Sequence, residues 1–391
     1  MSFMKEFQHL KIQLEDIKSA TDDFGDHRVI GVGGFGKVYK GEVFHSKGRS
    51  MAAFKCLDRK HGQGDVEFSK EIRTLSHYKH ENLISLLGFC EDGGQKILVY
   101  EYASNGSLDR HLASPALNWK QRIQICLEAA KALEYLHDPK GRHSRVLHCD
   151  IKSANILLDD NWIAKLSDLG LSKMGPANQQ HTFLISNAAG TFMYCDPLYL
   201  ETGFLSKESD VYSFGVVLFE VLYGKLCYEV IAGRSQILVP TWKQNYEEKK
   251  IGDVHFLQDM DPTSLKIFSH IAYQCLKRSR KDRPRMVDVV KELELALKSQ
   301  VFSEGMEQLV NYEDMALAAE PPLNYGSKAE LMMHLSKQGV LLNGGNTWFS
   351  LNTKGEHCEM ISIAKYFQQA AINYIIILHS EHVLELNSYH H

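Results

Sequence analysis

Apolar and polar positions run in short, regular patterns over the first hundred residues. Residues 38–44 alternate and are rich in β-formers, residues 51–57 are apolar except for Lys55, and residues 83–88 and 96–102 flank an Asp92-Gly93-Gly94 turn. Each run predicts a strand. One stretch among them has a longer period: Val66, Phe68, Ile72 and Leu75 give a helix one apolar face, with Glu71 beside it. With the strand that leads into a glycine-rich stretch, the pattern predicts a five-stranded antiparallel sheet and one helix. Ahead of it, residues 1–23 form a lead-in in which Leu10, Ile12, Leu14 and Ile17 are spaced for burial, ending in the capping and turn residues 19–24.

From Asn105 the pattern turns helical. A short helix is expected at 105–108. Residues 119–136 then carry an apolar stripe at 119, 123, 126, 127, 130, 133 and 136, stopped by Asp138-Pro139. Residues 210–223 are apolar on nearly every side and end at Gly224, which predicts a buried helix with a glycine cap. Further helices are expected at 265–276 and 287–297, joined by Asp282-Arg283-Pro284. Past residue 300, Glu320-Pro321-Pro322 reads as a linker, residues 341–363 as a hairpin, and 372–391 follow no usable pattern. The organisation is thus 1–23, 24–102, 103–299 and 300–391.

Composition narrows the class. The 391 residues are 44% hydrophobic and 24% charged, ordinary for a globular chain, and the formal net charge of -4 gives no reason to expect nucleic-acid binding. Eight cysteines lie far apart with no C-x-x-C pair, which argues for a reducing compartment. The N-terminus lacks a signal-peptide core, Ser2 stands where myristoylation needs glycine, and the longest apolar run, 374–378, is too short to span a bilayer. A cytoplasmic protein without a transmembrane segment is expected, with peripheral association at the plasma membrane left open and the oligomeric state undetermined.

The candidate chemistry concentrates in residues 146–170. Apolar runs at 146–147 and 156–158 flank a loop holding Asp150, Lys152 and Asn155, with Asp168 and Gly170 beyond. Such a loop can aim Asp150 at a hydroxyl proton while Asn155 and Asp168 offer oxygens to a hard cation such as Mg²⁺. Singly, these residues read as solvated acids and a helix-capping amide. Four at H-x-D-x-K-x-x-N…D-x-G spacing do not. Upstream, Gly31, Gly33, Gly34 and Gly36 lie between two predicted strands, where a glycine loop lets backbone N–H groups approach phosphates. A lone Lys55 in a buried strand requires a partner.

Together these motifs resemble the eukaryotic protein kinases over residues 24–298, and the wording of residues 150–159 is similar to plant receptor-like kinases. The resemblance implies an α+β, two-lobed fold: a small antiparallel-β lobe with one helix and a larger, mainly helical lobe. It implies transfer of the γ-phosphoryl of Mg-ATP, with Mn²⁺ as an alternative ion, to Ser or Thr hydroxyls of a protein substrate, downstream of a membrane receptor kinase. Asp150 and Lys152 would be catalytic, and Asn155 and Asp168 would hold metal. Ile30, Gly31, Gly33, Gly34, Gly36, Val38, Ala53, Lys55, Glu71, Tyr100, Glu101, Ala103 and Leu157 would bind the nucleotide. Glu71 is the implied partner of Lys55, with Glu67 the alternative. Asp210 would hold the catalytic loop, and Thr191 would bond Asp150 and Lys152. Leu169 would join Leu75, Leu86 and His148 in a stack.

Three positions depart from the family pattern. Cys149 replaces the usual arginine, Leu169 the usual phenylalanine, and Leu198 a glutamate that pairs with the arginine of Asp-Arg-Pro. Arg283 is therefore expected to lack its buried partner. Cys149 implies that phosphates on Ser172, Thr182 or Ser186 are not the on-switch, as in so-called non-RD kinases. The rival reading is a catalytically silent scaffold. A phloem-lectin-like similarity near 341–363 covers too little chain to imply sugar binding.

Overall fold

The alternating runs close into one antiparallel sheet: β1 (Val29–Gly33), β2 (Gly36–His45), β3 (Gly48–Leu57), β4 (Leu86–Asp92) and β5 (Gln95–Glu101), in the order β1-β2-β3-β5-β4. The computed structural model describes residues 6–318 except 34–35, 46–47, 58–63, 139–143, 177–183, 186–189, 232 and 251–259. The expected hairpin at 341–363 and the Pro-rich stretch before it lie outside the described residues. β4 starts at Leu86, not at 83. Leu83 bridges to Leu166 and the Ile84 N–H donates to Leu166 O at 3.0 Å, so these apolar residues serve the other lobe.

The sheet is covered on both faces. The short helix α1 (Leu14–Ala20) and the residues before it lie on one side, where the Ile12 N–H donates to Phe89 O at 2.9 Å. Ile12, Leu14 and Ile17 share a buried cluster with Val43, Phe54, Leu87 and Val99. Fully buried aliphatic side chains contribute about 1.5–3 kcal/mol each, so this segment is part of the small lobe's core. Gly41 allows the approach: a Cβ there would stand 2.1 Å from Ala20 O. On the other side, α2 (Gly64–His77) packs Phe68, Ile72 and Leu75 against the sheet with Phe89 and Leu98.

The larger lobe is mainly helical. Residues 106–111 are not the expected helix but a two-residue strand, β6 (Gly106–Ser107), followed by a 3₁₀ turn. Gly106 sits at φ +70° and β6 pairs with β8 (Ile156–Leu158), which in turn pairs with β9 (Ala164–Leu166). Helix α3 (Trp119–His137) starts with a capping box between Asn118 and Gln121. β7 (Ser144–Leu147) pairs with β10 (Lys173–Pro176), and β11 (Leu184–Ile185) with β12 (Phe204–Leu205). α4 (Pro197–Thr202) leads to α5 (Lys207–Tyr223), buried almost throughout and ended by Gly224 at φ +66°. The β13–β14 hairpin (Tyr228–Ile231, Arg234–Ile237), α6 (Val239–Glu247), α7 (Pro262–Cys275) and α8 (Met286–Ala318) follow. The chain divides into two units, Met1–Phe302 and Ser303–His391. Among the described residues all seven cysteines are free, and no helix is long and apolar enough to cross a membrane.

Candidate active site

The loop between β7 and β8 is fixed from below by Asp210, near the start of α5 and 2% exposed. Its carboxylate accepts the N–H groups of His148 and Cys149 at 2.8 and 2.9 Å and pairs with His137 Nε2 at 2.9 Å. These bonds hold Cys149 at φ +71°, a left-handed conformation costly for a non-glycine residue. The loop then presents Asp150. Its Oδ1 accepts both the N–H and the hydroxyl of Thr191 at 2.8 Å, and Lys152 Nζ lies 2.8 Å from Oδ2. Lys152 also donates to the Thr191 hydroxyl at 2.9 Å. Burial pushes the Asp150 pKa up, but Lys152, the Thr191 hydrogen bond and His148 together hold it below the ordinary carboxylate value. The carboxylate is ionised at neutral pH and able to accept a proton.

Asn155 turns its amide toward the same residue. Nδ2 donates to Asp150 O at 2.8 Å and Oδ2 at 3.1 Å, while the amide oxygen takes no hydrogen bond among the described residues. Asp168 follows β9 at φ +63° and reaches Lys55 Nζ at 2.9 Å. Glu71, the implied partner, is 3.8 Å from the same ammonium. Burial disfavours the Lys55 charge, yet Asp168 and Glu71 outweigh it and raise its pKa, so the ammonium persists. Glu67 is buried as well. Its Oε2, like Oε1 of Glu71, has no hydrogen-bond partner among the described residues. Burial and the Asp168 charge push the Glu67 pKa up.

A cleft of about 230 Å³ opens between the lobes. Twelve predicted residues line it: Ile30, Gly31, Val38, Ala53, Lys55, Glu71, Tyr100, Glu101, Ala103, Asn155, Leu157 and Asp168. Gly33 and Gly36 do not line it, and Gly34 lies outside the described residues. Sequence reasoning missed Ile84, Tyr102, Gly106, Ser107, Arg110, Ala154 and Ser167, which also line it. None carries a motif, although Tyr102 lies between the predicted residues Glu101 and Ala103. Glu101 Oε1 accepts the Ser85 N–H at 2.7 Å, so its side chain ties the end of β5 to the residue before β4. Burial and the neighbouring Glu71 raise the Tyr100 hydroxyl well above its usual pKa. Leu75, Leu86 and Leu169 belong to one buried cluster, and His148 is fully buried.

The departures fall out differently from expectation. Arg283 does not lack a partner: Nη2 donates to Asp196 Oδ1 at 2.8 Å, with both side chains fully buried. Arg280 takes the other oxygen at 2.8 Å, and Asp196 also caps α4 through the Leu198 N–H. An aspartate two residues earlier replaces the absent glutamate, and Glu201 pairs with Arg278 instead. Cys149 is a neutral thiol, its pKa pushed well up by burial and by Asp210. Ser172 is only 3% exposed, which removes it as an accessible phosphate acceptor in this conformation. Thr182 and Ser186 lie outside the described residues.

Comparison with known proteins agrees with this geometry. The model of the family "Protein tyrosine and serine/threonine kinase" matches residues 25–293. The chain is 42% identical over 302 residues to receptor-like protein kinase ANXUR2 of Arabidopsis thaliana, covering 75% of this chain and 34% of that one. It is 40% identical over 332 residues to receptor-like protein kinase HERK 1 of the same plant, covering 83% of this chain and 39% of that one. The chain thus spans little more than a third of the length of the curated relatives it matches. With most of its length accounted for by the family, the chain belongs to the protein tyrosine and serine/threonine kinases and groups with plant receptor-like kinases.

Proposed function

We propose that this chain transfers the γ-phosphoryl group of Mg-ATP to serine or threonine hydroxyls of a protein substrate, in signalling linked to an upstream receptor kinase at the membrane. One observation carries the reading: an ionised Asp150, held by Thr191 and Lys152, stands next to a cleft that also contains Lys55 and Asp168. Asp150 orients the acceptor hydroxyl and takes its proton. Lys152 steadies the transferring charge, and Lys55, braced by Glu71, positions the nucleotide's phosphates. Asn155, with its amide nitrogen committed to Asp150, and Asp168 would hold the ion. An amide and a carboxylate oxygen suit Mg²⁺, which takes its other ligands from water and phosphate, and Mn²⁺ would fit the same donors. Bound Mg-ATP supplies the phosphoryl group and neutralises its charge, so the protein's task is positioning and electrostatics.

The scaffold reading drew on Cys149, Leu169 and Leu198. None removes a group that handles phosphate, metal or proton, and Asp196 takes over the work of the residue absent at Leu198. Incubation of the whole chain with labelled Mg-ATP tests the proposal. Autophosphorylation above that of an Asp168→Asn control is expected. ATP binding with label no higher than the control would restore the scaffold reading.

A further inference from the structure

The rim of the cleft carries one cation that the reaction above does not use. Arg110 lies in the 3₁₀ turn Leu108–His111 of the helical lobe, exposed and lining the cleft. Its Nη2 donates to the carbonyl of Ile30, on β1 of the small lobe, at 3.2 Å. Among the described residues that carbonyl is its hydrogen-bond partner, and no carboxylate pairs with it. Two glycines flank it within ordinary contact distance. A Cβ on Gly31 would stand 4.0 Å from Nη2, and one on Gly106 would stand 3.4 Å from Nη1. The guanidinium therefore lies against bare backbone of both lobes at the mouth of the cleft.

We infer that Arg110 is a positioning residue, a latch that ties β1 to the helical lobe and slows the escape of a nucleotide bound beneath it. The inference rests on the nucleotide reading of the cleft. A guanidinium is suited to the task because it keeps its charge and presents several donors in a fixed fork. The Ile30–Arg110 bond has to break before β1 can lift from the turn, and opening steps of this kind often limit product release. A phosphate-binding role is the competing use of the same cation. The two differ in what they require of the ligand: a latch also holds adenosine, which has no phosphate, whereas a phosphate contact does not.

Release of a fluorescent ADP analogue, displaced by excess ADP with Mg²⁺ in a stopped-flow instrument, measures the latch. Arg110→Ala should release it three- to tenfold faster, with adenosine affinity weakened by a similar factor. Arg110→Gln, which keeps a donor on a shorter arm, should fall between the two. Because the side chain is exposed, equal melting temperatures of the free proteins are expected and establish that the variants fold. Unchanged release in Arg110→Ala overturns the latch and leaves the nucleotide reading intact. Faster ADP release with adenosine affinity unchanged also overturns it, in favour of a phosphate contact. Wild-type protein that binds neither ADP nor adenosine removes the nucleotide reading and the latch together.

Discussion

Lys55 and Asp196 each sit at the centre of a buried ionic cluster, and the two clusters are finished in opposite ways. Asp196 receives Arg280, Arg283, the Ser209 hydroxyl and the Leu198 N–H, and Arg283 spends its other donors on the carbonyls of Lys277, Glu208 and Arg278. Around Lys55, three carboxylates crowd one ammonium, and an oxygen of Glu67 and one of Glu71 go without a hydrogen-bond partner among the described residues. Buried polar groups are nearly always paired, so spare capacity calls for an explanation such as an absent ion or a catalytic role. The saturated cluster holds the fold. The unsaturated one lines the cleft through Lys55, Glu71 and Asp168.

The largest expected effect comes from breaking the unsaturated cluster. Lys55→Met or Asp168→Asn should cost phosphoryl transfer about a thousandfold, ~4 kcal/mol in the barrier. Asp168→Asn, which relieves repulsion among carboxylates and leaves Glu71 beside Lys55, should leave the melting temperature equal or higher. A loss of stability matching that of an Asp196 variant would erase the distinction between the clusters.

Asp196→Ala breaks the other one. It leaves Arg283 buried without its carboxylate, and orphaning one member of a buried pair costs about 3 kcal/mol or more. Urea denaturation should register that loss, while activity per folded molecule changes far less. Leu198→Glu, by contrast, offers a carboxylate to arginines already occupied, so no gain in melting temperature is expected. A clear gain would mean that Asp196 satisfies them poorly.

Much of this was readable from residues alone, because periodicity and motif spacing report local requirements. The five strands, the helix bearing Glu71, the catalytic loop and the all-buried α5 follow from such patterns. Partner choice does not. Ile12, Leu14 and Ile17 announce burial but not that the second face of the sheet is their partner. Leu83 and Ile84 read as strand, yet Leu83 bridges to Leu166 of β9 and the Ile84 N–H donates to the Leu166 carbonyl. Asp196 stands two positions from the absent glutamate, and only the fold brings it within reach of Arg280 and Arg283. Arg110 gave no signal, since an exposed arginine in a turn looks like any other.

Titration sharpens the contrast, because the signs differ. The arginines overcome burial and depress the Asp196 pKa below its ordinary 3.8. Its contribution is thus complete above about that pH and is lost as pH falls through the lower folded value. Glu220, buried in α5, accepts from the Tyr194 hydroxyl at 2.6 Å and the Cys227 N–H at 2.8 Å, and has no cation beside it among the described residues. Burial raises its pKa from 4.5 to about 7. The cost of ionising it therefore grows as pH rises from 4.5 to about 7 and is complete above. Each pKa unit is worth about 1.4 kcal/mol, so Glu220→Gln should flatten the decline in stability between pH 5 and pH 8 by about 2 kcal/mol. Urea midpoints at the two pH values measure it, and an unchanged slope would mean that solvent reaches the carboxylate.

Cys149 lies between the two extremes, and the smallest effect is expected there. It adjoins Asp150, its N–H is held by Asp210, and its thiol donates to Leu147 O at 3.3 Å. Lys173 and Lys70 pull its pKa down, but burial and Asp210 outweigh them, so the thiol stays neutral. An arginine there would be a cation awaiting an anion, and loop phosphorylation would supply one through charge-assisted bonds. A neutral thiol creates no such demand. Phosphatase treatment, or Thr182→Ala with Ser186→Ala, should accordingly change activity on an external peptide by less than tenfold, under ~1.4 kcal/mol. A larger loss would identify a basic receptor for the phosphate other than residue 149, with Lys173 the first to test by Lys173→Met.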